Sequence, residues 1–504
     1  MLQFLAITLN YTNSNFKPFN HKGAFMSGAT PLIPVIRPYI GTRHIGENLC
    51  LIQQQKSQVW LFGGISRKIW HLLKEGKTVE GIIEAIQSEF KAPREKVIAS
   101  LNNFFQQLWE RQIVDIQGGE HISNAERAAM VKEEPCNTNG KLWNICFDNH
   151  VLFRTWLDLL IPCNLRCQHC YLDFSKTDIL PFSEVCSYLD QLEKHGCPEV
   201  VLTGGEIFLR RDLLDIIAYT QERGFLFELF TNANFIDEKM ADRLSKYFIE
   251  CVQISVYGTT AEIHEKVTRK PGTFNKSINA AKFLIERGIP VRLVNVVQQV
   301  NYEDAFRFRD FAKSLGADYD IDGTLMPNRN GSNEPLTLGI SVWQMAELHK
   351  AGITKPPNPT VACTAARGKG RITAHGDIYP CNVINNASLG NLKKNTFEEI
   401  WASPWRNELR HMITNYKPKR CGTCSNSQEC VPCAATRGFN QENHMEAPVS
   451  EACMITTADL LSRGREFSPD SPVGKVAGGC ADIALASNAG QLVNQGLIQI
   501  TQAS

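Results

Sequence analysis

Cys163, Cys167 and Cys170 lie in Pro162-Cys-Asn-Leu-Arg-Cys-Gln-His-Cys-Tyr171, a Cx3Cx2C spacing. Three thiolates so placed can hold three corners of a [4Fe–4S] cube and leave the fourth iron without a protein ligand. An open iron can bind and reduce a small molecule, whereas a closed four-cysteine cluster mainly passes electrons. The spacing also permits a zinc site, completed by His169 or a distant ligand. Farther on, Val200-Val-Leu-Thr-Gly-Gly-Glu206 reads as a strand ending in two glycines and a carboxylate. Gly204 and Gly205 allow close backbone approach to a ligand, and Glu206 suits an ammonium group.

A second array is C-terminal. Cys363 and Cys381 flank Gly376, Cys421, Cys424, Cys430 and Cys433 follow, and Cys453 ends the series. Paired CxxC knuckles at such spacings fit zinc ribbons or iron–sulfur clusters. Seventeen cysteines in a chain of 504 residues, ten of them in these two arrays, point to metal in a reducing cytoplasm rather than to disulfides. The other seven are expected to be small buried hydrophobes or inert thiols.

The residues between the arrays must position this chemistry. Strand patterns at Leu152–Leu160, Glu199–Thr203, Leu226–Thr231, Cys251–Val256, Val291–Val297 and Tyr319–Leu325 alternate with amphipathic segments such as Asp237–Tyr247 and Asn275–Arg287. Six such units predict an α/β fold with a parallel sheet, most simply a partial (β/α)6 barrel, over 151–330. Function then belongs at the C-terminal strand ends, where the Cys163 loop falls. Residues 331–360 read as a bridging region and 361–460 as a loop-rich metal domain, in which metal replaces hydrophobic core. A flexible tail is expected over 461–504.

Upstream, 36–118 forms a compact unit. Strand-like runs at Asn48–Gln53 and Gln58–Phe62 precede helices near Ser66–Lys74, Thr78–Phe90 and beyond Pro93, and Ile113–Ile116 closes it as a strand. Three helices with a small β-wing make a winged-helix pattern. From Lys56 to Ile116 there are nine Lys/Arg and seven Asp/Glu, too balanced for a DNA-reading surface. Residues 119–150 read as a polar linker and 1–35 as an extension, in which Met26 offers an alternative start to Met1.

Composition bounds the partners. The net charge is +1, with 43% hydrophobic and 21% charged residues. That gives no electrostatic case for nucleic acid or an anionic membrane. No stretch approaches the roughly 20 apolar residues of a membrane span, and the N-terminus lacks the basic region and cleavage site of a signal peptide.

Together the Cx3Cx2C triad and Gly204-Gly205-Glu206 resemble the radical S-adenosylmethionine (SAM) superfamily. The resemblance implies that Cys163, Cys167 and Cys170 ligate a cluster whose open iron chelates SAM. Reductive cleavage of SAM then gives a 5′-deoxyadenosyl radical that abstracts a substrate hydrogen. It also implies that Gly204, Gly205 and Glu206 meet the SAM ammonium group and that Ser255 contacts SAM. Asn232 and the backbone around Tyr171 would meet ribose and adenine. The later cysteines resemble the SPASM domain and its two auxiliary [4Fe–4S] clusters. By that pattern Cys421, Cys424, Cys430 and Cys453 close the distal cluster, while Cys363, Cys381 and Cys433 give the proximal one three ligands. Two residues separate Cys430 from Cys433, where the family usually has three.

The N-terminal unit resembles PqqD-like peptide-recognition domains, which capture a leader peptide as an added strand. The implied partners are a precursor peptide with its leader, a flavodoxin- or ferredoxin-type electron donor and a small accessory peptide-binding protein. The implied reaction is a thioether or carbon–carbon cross-link, or a splicease-type excision. A maturase of folded proteins and a non-catalytic iron–sulfur scaffold are the rival readings.

Overall fold

Apolar residues at helical spacing build the N-terminal core. The computed structural model describes residues 33–117, 129, 131, 133–138, 140–355, 363–424, 428–430, 433–439 and 451–465. The alternative start at Met26, most of the N-terminal extension and the tail beyond 465 lie outside these residues. Two compact units divide the chain. The first comprises 1–153 with Glu193–Pro198 and Gln221–Leu226, and the second holds the remainder.

In the first unit, β1 (Ile33–Ile36) pairs antiparallel with β5 (Val114–Gln117). Strands β2 (Ile40–Ile45), β3 (Asn48–Gln53) and β4 (Gln58–Phe62) form an antiparallel meander. Helices α1 (Ser66–Lys74), α2 (Val79–Phe90) and α3 (Arg94–Glu110) follow β4. Thr78 caps α2 by accepting from Gly81 N at 3.1 Å. Ile82, Ile83 and Ile86 of α2 pack with Leu101, Phe105 and Leu108 of α3 and with Trp60 and Trp70.

Two expectations need correction here. The wing has three strands rather than two, and the closing strand β5 finds its partner in β1. Strand β2 escapes the sequence pattern because a charged residue occupies an inward position. Arg43 is 1% exposed. It donates to Cys197 O at 2.7 Å and Arg223 O at 3.0 Å and stacks over Phe225. The expected linker over 119–150 also contains α4 (Lys141–Asp148). Its Leu142 and Cys146, with Cys136 and Val151, bury against Ile45, Cys50, Ile52 and Val59. That apolar face spans barely one turn, too short to show as a period. Burial pushes the Cys136 thiol up to about 12 and raises Cys50 as well, so both pack as neutral side chains.

The second unit is built on a nine-stranded sheet. Strands β6 (Arg154–Asp158), β7 (Glu199–Thr203), β8 (Leu226–Thr231), β9 (Cys251–Ser255), β10 (Val291–Val296) and β11 (Asp318–Asp322) lie in chain order, and the register is parallel for the pairs β6–β7, β8–β9, β9–β10 and β10–β11. Helices α5 (Phe182–His195), α6 (Leu213–Glu222), α7 (Glu238–Leu244), α8 (Ala261–Thr268), α9 (Thr273–Glu286) and α10 (Tyr302–Ser314) connect them. Strand β12 (Lys369–Ile372) adds in parallel to β6, and β13 (Asp377–Tyr379) and β14 (Gly390–Asn391) extend that edge antiparallel. Arg329, past the end of β11, reaches Asp158 at the end of β6 at 2.9 Å. The chain that follows β11 therefore returns to the end of β6. Among the described residues no helix is long and apolar enough to cross a membrane.

Glu199, Glu228 and Glu250 gather near the N-terminal strand ends, where Arg154 pairs with Glu199 and Glu228. Burial and then repulsion from Glu199 and Glu228 push the Glu250 carboxyl up to about 8. The folded state therefore holds a proton that the unfolded chain has lost above roughly pH 4.3. Stability from this group is present at low pH and is lost as pH rises through about 8. In urea titrations from pH 5 to 9, Glu250→Gln is expected to flatten the fall in stability that runs up to about pH 8. An unchanged pH slope would remove this group from the account.

Candidate functional site

The candidate site residues stand along one sheet edge. Cys163 follows β6, Gly204 and Gly205 follow β7, Asn232 follows β8, and Ser255 ends β9. These are C-terminal strand ends, where α/β sheets bind ligands.

The two glycines bring the first two loops together. Gly205 N donates to Leu160 O at 2.8 Å and Glu206 N to Pro162 O at 3.0 Å. A Cβ on Gly204, whose φ is +145°, would lie 2.4 Å from Leu160 O, and one on Gly205 would lie 2.2 Å from Pro162 O. Both neighbours are backbone, so neither can swing aside. Gly205→Ala is expected to part the loops, cost roughly 2–4 kcal/mol and lower iron bound at the first cysteine array. Iron content and the thermal midpoint read this, and wild-type values for both would refute the cradle.

Glu206 is fully buried. It accepts from Thr231 Oγ1 and Asn232 N, each at 2.7 Å, and from Phe208 N at 3.0 Å. Burial raises its carboxyl above the ordinary range against the pull of these donors. Three of roughly four lone-pair sites are thus committed to fixing the ends of β7 and β8, leaving one for an ammonium donor. Asn232 is turned toward the cysteine loop. Its Nδ2 donates to Asn164 Oδ1 at 2.8 Å and lies 3.8 Å from Cys163 Sγ. Ser255 sits beside the buried Tyr257, whose ring meets His169 edge-on at 4.7 Å.

The cysteine loop is clamped from two sides. Gln168 N donates to Val267 O at 3.1 Å and Gln168 Nε2 to Lys266 O at 2.7 Å, both on α8. Opposite, Asn328 Nδ2 donates to Leu172 O at 2.9 Å and Cys170 O at 3.3 Å, and Arg329 N donates to Tyr171 O at 2.8 Å. Asn328 and Arg329 escaped the sequence reading, because neither belongs to a cysteine or glycine motif. His169 Nδ1 lies 3.0 Å from Gln298 Nε2, and burial lowers the imidazole to about 4.

The thiols suit a metal cluster. Cys163, Cys167 and Cys170 are all raised by burial; neighbouring thiols of the loop add to it at Cys167 and Cys170, and Glu206 adds to it at Cys163. Packed thiols that repel as thiolates gain most from a cation that binds the deprotonated form. In the C-terminal array, Cys381 is raised first by burial and then by Cys433 and Cys363, and Cys421 by burial and then by Cys430 and Cys424. Two neighbourhoods result, Cys363/Cys381/Cys433 and Cys421/Cys424/Cys430. Cys453 lies on α11 (Glu451–Ser462), where Thr457 Oγ1 donates to its carbonyl at 2.6 Å.

In the N-terminal unit, the segment after α3 covers part of the β4 edge. Cys136 N donates to Val59 O at 2.8 Å, Asn137 Oδ1 accepts from Val59 N at 3.0 Å, and Asn137 Nδ2 donates to Ser57 O at 2.8 Å. Glu133 pairs with Arg111, whose guanidinium lies over Trp60.

Comparisons with known proteins agree with this layout. Residues 162–312 match the radical SAM superfamily, 363–426 the SPASM iron–sulfur cluster-binding domain, and 49–114 coenzyme PQQ synthesis protein D. An AdoMet-dependent heme synthase of Methanosarcina barkeri is 22% identical, over 55% of this chain and 90% of its own length. A PqqA peptide cyclase of Granulibacter bethesdensis is 24% identical, over 62% and 91%. The crystal structure of Streptococcus suis SuiB bound to precursor peptide SuiA matches with a TM-score of 0.52 at 16% identity, over 79% of this chain and 94% of that one, a likeness of fold. The cofactors are accordingly SAM and [4Fe–4S] clusters. The chain thus joins a radical SAM region and a SPASM region to a PqqD-like domain at its N-terminal side.

Proposed function

We propose that the chain modifies a ribosomally made precursor peptide, holding the leader at its N-terminal domain and offering the core to radical chemistry at the sheet edge. The observation that carries this reading is the union of a PqqD-like domain with radical SAM and SPASM regions in one chain. Its relatives include a heme synthase as well as a peptide cyclase. A heme precursor gives no reason for a strand-capturing module, and neither does a folded protein substrate, so the domain favours a peptide.

Cys163, Cys167 and Cys170 would hold the SAM-binding cluster, and Gly204, Gly205, Glu206, Asn232, Ser255 and Tyr171 would surround SAM. Cys421, Cys424, Cys430 and Cys453 would hold the distal auxiliary cluster, and Cys363, Cys381 and Cys433 the proximal one. When loaded, the first cluster supplies one-electron cleavage of SAM and hence hydrogen abstraction. The chain's own part is to fix the cysteine loop through Gln168, Asn328 and Arg329 and to keep Glu206 rigid. The product would be a thioether or carbon–carbon cross-link, or an excised backbone fragment, with a flavodoxin- or ferredoxin-type reductant and a small accessory peptide-binding protein as further partners.

Co-expression with the peptide of a neighbouring small reading frame, followed by mass spectrometry, tests this. Loss of two hydrogens indicates a cross-link, and a larger loss indicates excision. A peptide left unmodified while SAM is cleaved would count against the peptide reading.

A further inference from the structure

We propose that Arg329 and Arg371 form a carboxylate-binding subsite for the substrate, next to the cysteine loop. It rests on the peptide reading only for the bearer of the carboxylate. Asp158 ends β6, Arg371 lies on β12 beside it, and Arg329 follows β11. Asp158 Oδ2 accepts from Arg329 Nη1 at 2.9 Å, whereas Arg371 Nε stands 3.9 Å from that oxygen, beyond hydrogen-bond range. One carboxylate thus faces two guanidinium groups, leaving one positive charge in excess.

Both arginines keep an unsatisfied donor. Arg371 is 2% exposed, and its Nη1 donates to Asn382 O at 3.1 Å, but its Nε has no partner. The Nε of Arg329 is likewise buried without one. The other carboxylates nearby have partners of their own, and the Cys170 thiol also faces Arg329. Asp377 accepts from Asn391 Nδ2 at 2.7 Å, and Asp178 faces His375 at 3.2 Å. Burial and then repulsion from Arg329 hold Arg371 below the ordinary guanidinium range, as expected where an anion is wanting.

The surroundings orient such an anion. Arg329 lies 4.9 Å above the Tyr171 ring and Arg371 4.6 Å above Tyr379. The rings fix the planes of two forks that match a carboxylate. Tyr171 is 41% exposed, so the pair borders open surface. It lies beside β6 and β12, away from Gly204, Asn232 and Ser255 on β7 to β9, and shares only Tyr171 with the residues placed around SAM, so substrate is the ligand proposed.

The test uses the cluster-loaded, full-length enzyme and equilibrium dialysis of three labelled probes. N-acetyl-glutamic acid α-amide carries a side-chain carboxylate, N-acetyl-glutamine an α-carboxylate, and N-acetyl-glutamine amide neither. One of the charged probes is expected to bind at least about tenfold more tightly than the neutral one. The side-chain probe would identify an acidic residue, the α-carboxylate probe a peptide C-terminus. Arg371→Met is expected to abolish the preference. If that variant fails to fold, the probe comparison on the wild type still decides. Equal binding of charged and neutral probes would overturn the proposal, as would displacement of the charged probe by SAM. Failure of leader-dependent modification would overturn the peptide reading while leaving carboxylate selectivity measurable.

Discussion

Replacing Cys163, Cys167 and Cys170 together with alanine is expected to reduce 5′-deoxyadenosine formation to background while iron bound by the C-terminal cysteines remains. The reason is local. The three thiols share one short loop held by Gln168 on one side and by Asn328 and Arg329 on the other. No other described cysteine lies on that loop, and Cys363, Cys381 and Cys433 form a neighbourhood of their own. Alanine removes the soft donors without adding bulk, so the strands beneath should stay folded. Iron analysis and deoxyadenosine chromatography on the same sample separate loss of one site from loss of all. Continued SAM cleavage would place the reactive cluster elsewhere.

Loosening the segment over β4 is expected to strengthen leader binding by about tenfold. Val59 gives both its N–H and its C=O to Asn137 and Cys136. Leu61, two residues on, presents the next pair of groups on the same edge, because successive residues of a strand alternate. A leader added at β4 must therefore stop short of Val59 or displace the covering segment. Asn137→Ala with Glu133→Gln removes two hydrogen bonds to the strand and the pairing with Arg111. Each contact contributes about 0.5–1.5 kcal/mol, and roughly 1.4 kcal/mol is tenfold in affinity. Fluorescence anisotropy with a labelled leader peptide reads the change. Unchanged or weaker binding would mean that the leader uses another surface.

Much of the second unit was legible because its strands are buried runs separated by amphipathic helices. The patterns at Glu199–Thr203 and Leu226–Thr231 coincide with β7 and β8. The first unit was less legible where polarity and burial part company. Arg43 is an inward charge satisfied by distant carbonyls, and Cys136 and Leu142 pack into a core from a stretch that reads as polar. Strand β1 is only four residues long and finds its partner about eighty residues later, a pairing that local pattern cannot encode.

The sequence by itself determined the donor types and spacing: three thiols in one array, seven in another, and two glycines before a carboxylate. Those are local properties, since ligand chemistry and close backbone approach depend on residue type. Only the tertiary structure decided what surrounds them. Glu206 is committed largely to Thr231 and Asn232, Asn232 faces Cys163, and Asn328 with Arg329 locks the loop. The return of the chain that brings Arg329 to Asp158 leaves Arg371 without a full counter-charge. Such contacts join residues from 25 to 171 and more positions apart, and burial sets their charge balance, so no reading of neighbours along the chain could have found them.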